Sequence, residues 1–161
     1  MKILLLLLLG NICYGQMYVS PTFQLTNDPG LFSEKSNVSI EIGKQWDVFS
    51  IGIDYGLTNL STLDTTSCIE LRPNINVFQQ GKFTNTFTAG IGYIFNSSEN
   101  MMTELTSGIE YAANDQVHIN ISFGQYYYSG RYTSSQSTFF GLSLMYYFKD
   151  NKQRSLVERK E

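Results

Sequence analysis

The sequence predicts an all-β protein: an eight-stranded antiparallel up-and-down transmembrane β-barrel. Three observations lead there. Eight stretches alternate apolar and polar residues with a period of two, and no charge falls on the apolar face of any of them. Charged residues make up only 16% of the chain, against roughly 25% in soluble domains, so the Lys and Glu that coat a water-facing surface are missing. Aromatic residues gather toward the ends of the stretches, with aliphatic ones between them.

The first segment, residues 1–15, reads as a signal peptide. Lys2 supplies a positive start, Ile3–Leu9 an apolar run, and Cys13 and Gly15 the small residues before a cut at Gln16. The run is too short for a spanning helix, which needs roughly 20 residues. Cys13 as a lipidation site is disfavoured by the bulky Ile12 before it. Beyond this segment no apolar stretch is long enough to span as a helix, so a membrane protein built from this chain must be a closed barrel. Residues 16–148 are expected to form that barrel, and 149–161 a charged periplasmic tail. The chain carries 11 basic and 14 acidic residues; without Lys2 the balance is 10 to 14, a net −4, which gives no footprint for nucleic acid. Cys68 is then the sole thiol and no internal disulfide is expected.

The strands are expected at Tyr18–Thr26, Asn37–Lys44, Val48–Thr58, Ser67–Phe78, Phe83–Phe95, Thr103–Ala112, Val117–Tyr128 and Thr138–Phe148. The first opens on Tyr18, an aromatic at the rim. The second sets Ser39, Glu41 and Gly43 against Ile40. The third is the clearest, with Phe49, Ile51, Ile53, Tyr55 and Leu57 facing one way and Ser50, Gly52, Asp54 and Gly56 the other. The fourth puts Leu71 and Ile75 on the apolar side but also Pro73, which removes a ladder hydrogen bond, so a bulge or break is expected near Arg72–Asn74. In the fifth, Thr86, Thr88, Gly90 and Gly92 oppose Ile91, Tyr93 and Phe95. The sixth carries Tyr111 near its turn end; the seventh sets Asn120, Ser122 and Gly124 against Ile119, Ile121 and Tyr127; the eighth presents Phe140, Leu142, Leu144, Tyr146 and Phe148 on one face. Gln45–Asp47, Gln79–Lys82 and Ala113–Gln116 read as tight turns. Asn27–Ser36, Asn59–Thr66, Asn96–Met102 and Ser129–Ser137 read as longer polar loops. That alternation puts the turns and both termini on one side, the periplasm.

Alternation alone does not decide which face looks outward, since soluble barrels alternate as well. The polar face decides it, being Gly, Ser, Thr and Asn with sparse charge, which suits a narrow filled lumen. The aromatics agree: Tyr18, Phe49, Phe83, Tyr111, Tyr146 and Phe148 near the turns, Tyr55, Tyr93, Phe95, Tyr127 and Phe140 near the loops, two girdles around an aliphatic band.

The last strand, with Phe140, Leu142, Leu144, Tyr146 and terminal Phe148, resembles the C-terminal assembly signal of outer-membrane barrels. Up to Phe148 the chain resembles the small eight-stranded OmpA/OmpX-like barrels, although that signal usually ends the chain and here Lys149–Glu161 follow. The resemblance implies a bacterial outer-membrane location, lipid and the barrel-assembly machinery as partners, and a monomer.

Several polar groups share the inner face: Glu41, Asp54, Glu70, Arg72, Glu110 and His118. Arg72 is the sole interior guanidinium and is expected to pair with Glu70, Glu41 or Glu110, plugging the barrel, with Lys44 near the mouth. His118, Ser122 and Glu110 raise a hydrolase triad, as in barrels that deacylate lipid A, but residues four apart on a strand are about 13 Å apart, beyond hydrogen-bond reach. Tyr126, Tyr128, Arg131 and Tyr132 form an aromatic, basic patch at the last loop, a candidate surface for a partner whose identity the sequence does not reveal. No catalytic residue, metal or cofactor is expected. The favoured role is non-enzymatic, structural or surface-binding. The alternatives are a soluble periplasmic or secreted lipocalin-like barrel holding an apolar ligand, and a narrow ion pore.

Overall fold

The computed structural model describes residues 15–148 apart from 28–33, 60–64 and 96. The signal peptide up to residue 14 and the tail lie outside the described residues. Eight strands close into one antiparallel barrel in the order β1 to β8, each paired with its sequence neighbours and β8 with β1. They run β1 Gln16–Asn27, β2 Glu34–Trp46, β3 Phe49–Asn59, β4 Thr65–Gln80, β5 Phe83–Ile94, β6 Met101–Ala112, β7 Val117–Ser129 and β8 Ser134–Tyr147. All eight expected strands are present, and most are longer than expected because pairing continues past the apolar span into polar residues. As a result the loop expected at Ser129–Ser137 shrinks to the four residues between Ser129 and Ser134.

The alternation becomes a barrel with its oily side out. Ile40, Ile53, Leu71, Ile91, Ile121 and Leu144 are all exposed, whereas Ser20, Thr22, Ser50, Thr86, Thr106 and Ser122 are buried within. Bilayers select this inversion, because water-soluble barrels bury the apolar face instead. Phe140, Leu142, Leu144, Tyr146 and Phe148 all face outward as expected. One girdle assignment is corrected: Tyr18 is 1% exposed and points into the lumen, because it shares the face of Ser20, Thr22 and Gln24.

Two of the turns have two central residues, of which the first has positive φ: Asp47 at 48° and Gly81 at 60°. Trp46 pairs with Phe49 and Gln80 with Phe83 across them, the hairpin geometry whose twist matches that of the strands.

Of the bulge or break expected at Arg72–Asn74, Pro73 produces the break. The register of β4 against β5 is the same before it (Leu71 with Ile91) and after it (Asn74 with Thr88), and pairing simply lapses at Arg72 and Pro73. The bulge comes later, between Asn76 and Phe78, and leaves both Val77 and Phe78 outward. Pro21 behaves alike: β1 pairs with β8 at Val19–Tyr146 and Thr22–Ser143, and lapses at Ser20 and Pro21. Each proline lacks an N–H and costs the wall one ladder donor.

Candidate functional site: the polar lumen

Register, more than sequence spacing, assembles the lumen. Arg72 on β4 is opposite Gly52 on β3 and level with Gly90 on β5, which in turn is opposite Glu104 on β6. The guanidinium reaches over Gly90 to Glu104 with two parallel bonds, Nε to Oε2 and Nη2 to Oε1, both 2.8 Å. On the other side Nη1 donates to Glu41 Oε2 at 2.6 Å. A two-pronged Arg–carboxylate pair of this kind is both strong and directional.

The two glycines make these reaches possible. A Cβ added at Gly52 would stand 2.1 Å from Glu41 Oε1, and one at Gly90 would stand 2.0 Å from Glu70 Oε1. Glu41 also accepts from the Tyr18 hydroxyl, and Glu104 from Thr106 Oγ1 at 2.5 Å. Arg72 thus ties three strands together through the interior.

Glu41, Asp54 and Glu70 sit directly opposite one another across β2, β3 and β4. Like charges so placed repel, and Arg72 lies beside the row, 4.0 Å from Glu70 Oε2. Asp54 Oδ1 and Glu70 Oε1 are buried without a hydrogen-bond partner.

An aromatic layer closes each end. On the loop side Tyr126 stacks on Phe139 with centroids 4.5 Å apart and donates to Gln24 Oε1 at 3.0 Å; Ile94, Met102, Cys68 and Tyr128 complete the layer. On the turn side Tyr18, Met145 and Tyr147 pack together, and Tyr147 donates to Gln45 Oε1 at 2.6 Å. Between the layers lie two small chambers. The inner one, about 30 Å³, is lined by Ser20, Thr86, Thr88, Asn120, Ser122 and Ser143, with Arg72 and Glu41 at its edge. The outer one, about 10 Å³, is bounded by Asp54, Glu70, Cys68 and Tyr126. Since a water needs roughly 10–15 Å³ of such space, the first holds about two waters and the second at most one.

All six expected lumen residues line the interior, but their pairing is corrected. Arg72 bonds Glu41 as expected, bonds Glu104 rather than Glu110, and touches Glu70 only at the limit of an ion pair. Glu110 lies deeper toward the turns and meets His118 Nδ1 at 2.5 Å, with the imidazole against the Tyr147 ring at 4.6 Å. Glu104 went unnoticed in the sequence although it shares the parity of Glu110. The loop patch divides: Tyr126 and Tyr128 are buried in the lumen, whereas Tyr132 is 83% exposed with Arg131 5.1 Å over its ring. Ser122 lies opposite Gly108 and Gly141 and His118 opposite Ala112 and Met145, so the strand keeps Ser122 apart from the His118–Glu110 pair and no triad forms. Among the described residues no three His, Cys, Asp or Glu side chains gather to hold a metal.

No family model matches the chain, and no curated protein matches it. Solved structures do. Its fold is that of the small outer-membrane β-barrels. Neisserial surface protein A aligns with a TM-score of 0.60 at 10% identity, covering 83% of this chain and 97% of that one. The N-terminal barrel of Pseudomonas aeruginosa OprF gives 0.54 at 15% identity, covering 82% and 99%. A de novo designed transmembrane β-barrel gives 0.63 at 11% identity, covering 83% and 96%. A designed barrel aligns as well as natural ones, so the likeness speaks for architecture and not for a shared activity.

Proposed function

We propose that this chain is a non-enzymatic barrel of the Gram-negative outer membrane, a structural element or a platform for its loops, with both termini in the periplasm. The observation that carries the reading is the pairing of an apolar exterior with a filled interior. The outward face offers bare Ile, Leu and Phe, and the described residues of the interior enclose two water-sized chambers on either side of the Arg72 clasp. A soluble barrel with an apolar ligand would need an apolar cavity of ligand size, and chambers of about 30 and 10 Å³ hold no more than water. An ion pore would need a continuous path, against which stand two aromatic layers and the clasp.

Lipid and the barrel-assembly machinery are the partners this reading requires, and a monomer suffices for it. Of the described loop residues, Arg131 and Tyr132 are the candidates for a surface contact. The test is thiol labelling of intact cells carrying single cysteines at Ser98 or Thr133, with fractionation in parallel. Labelling by a membrane-impermeant reagent, detergent-dependent extraction and heat-modifiable gel migration support the reading. Release of the protein in water-soluble form would overturn it.

A further inference from the structure

The two prolines mark more than local defects. The pairing lapses fall at the β8–β1 and β4–β5 seams, on opposite sides of the barrel, and part it into two four-stranded leaves, β1–β4 and β5–β8. Both lapses adjoin the inner chamber: Ser20 and Met145 line it at one seam, and Arg72, Asn74 and Thr88 at the other. The chamber is flanked toward the turns by Tyr18, Met145 and Tyr147, and toward the loops by the Arg72 clasp and the layer beyond. Its walls are hydroxyls and amides, and Asn74 Oδ1 and Asn120 Oδ1 are buried there with no protein partner. It is therefore a site for water-sized polar molecules, with packed side chains across both axial routes.

Side-chain bridges cross both seams. Tyr126 to Gln24 and Tyr147 to Gln45 span β8–β1 from above and below its lapse. At β4–β5 the bridge sits on the lapse itself: Arg72, one of the two unpaired residues, holds Glu104 on the far leaf.

We propose that the inner chamber fills and empties sideways, through the proline seams, and that the Arg72–Glu104 pair is the latch that keeps the β4–β5 seam shut. A wall hydrogen bond missing in the bilayer is not replaced by solvent. Local opening therefore starts where one is already absent and where the strands are fastened through their side chains instead.

The experiment uses the full barrel in lipid nanodiscs, with Cys68→Ser to remove the native thiol and Ser122→Cys to report from the chamber wall. The readout is the rate of modification by a small neutral thiol reagent, methyl methanethiosulfonate. Pro21→Val with Pro73→Val restores both donors and is expected to slow labelling about fivefold, the factor one net hydrogen bond represents. Glu104→Gln is expected to speed it about tenfold, in line with loss of a charge-assisted pair, and the proline replacements are expected to cut that gain to about twofold over the parent. Arg72→Lys, which keeps a charge but not the two-pronged contact, is the second latch variant should Glu104→Gln fail to fold, with folding read from heat-modifiable migration. An unchanged rate after both proline replacements, or a latch-variant gain that they leave undiminished, would overturn the proposal in favour of entry through the ends.

Discussion

Replacing Arg72 by Met tests the clasp most directly. The change keeps an unbranched stem, two atoms shorter, and removes three short bonds, two to Glu104 and one to Glu41. Each charge-assisted bond is worth roughly 1.5–3 kcal/mol, so simple addition would give about 4–9 kcal/mol. The bonds share one group, however, and breaking a buried pair by removing one partner costs about 3–5 kcal/mol, most of it from carboxylates left buried without a counter-charge. The row of Glu41, Asp54 and Glu70 makes that upper figure the better guide here. The same reasoning demands a rescue. If stranded carboxylates are the cost, Glu41→Leu and Glu104→Leu added to Arg72→Met should recover at least half of it, since an apolar replacement of a whole buried ion cluster is often neutral. The assay is equilibrium urea unfolding in lipid vesicles, followed through Trp46, the only tryptophan, which sits at the girdle beside Phe49. A single variant within about 1 kcal/mol of the parent, or a triple variant no better than the single, would refute the clasp as a folding determinant.

The glycine floor gives a second prediction: Gly52→Ala and Gly90→Ala, whose new methyls would meet Glu41 and Glu70, should each cost about 1–3 kcal/mol in the same unfolding assay. Outside the barrel, Ile53→Arg should cost about 2–4 kcal/mol in bilayers, the price of a cation on a lipid-facing strand; a water-facing site would show next to nothing. Tyr126→Ala should cost about 3–5 kcal/mol because its ring is buried against Phe139, whereas Tyr132→Ala at the exposed tip should stay within about 0.5 kcal/mol. The two tyrosines, six positions apart, thereby separate a lid residue from a loop residue by gel-shift midpoint alone.

Faces were legible in the sequence because a strand has only two of them. Parity sorts Ile51 from Gly52 and Leu144 from Met145 without any knowledge of neighbours. The same rule already placed Tyr18, Tyr126 and Tyr128 inside, alongside Ser20 and Ser122; their aromatic character drew them to the rim or the loop instead. Glu104 was likewise available from the parity of Glu110. What parity does not carry is depth. That Arg72 meets Glu104 and not Glu110 follows from the stagger of β4, β5 and β6, which turn geometry and the Asn76–Phe78 bulge set between them. Pro73 shows the same limit: the sequence left a bulge and a break both open, and the strand keeps step while only the bond is lost.

The clasp lies between the two chambers and not at either opening, and that bears on any attempt to turn this molecule into a conduit. Cutting away the loop-side rings would only widen an antechamber, and clearing the turn-side rings would only drain a second one. Ions would still face a crossbar of Arg72, Glu41 and Glu104 at mid-depth. Three successive barriers in series have to fall together, so single substitutions at any one level should leave the tube electrically silent.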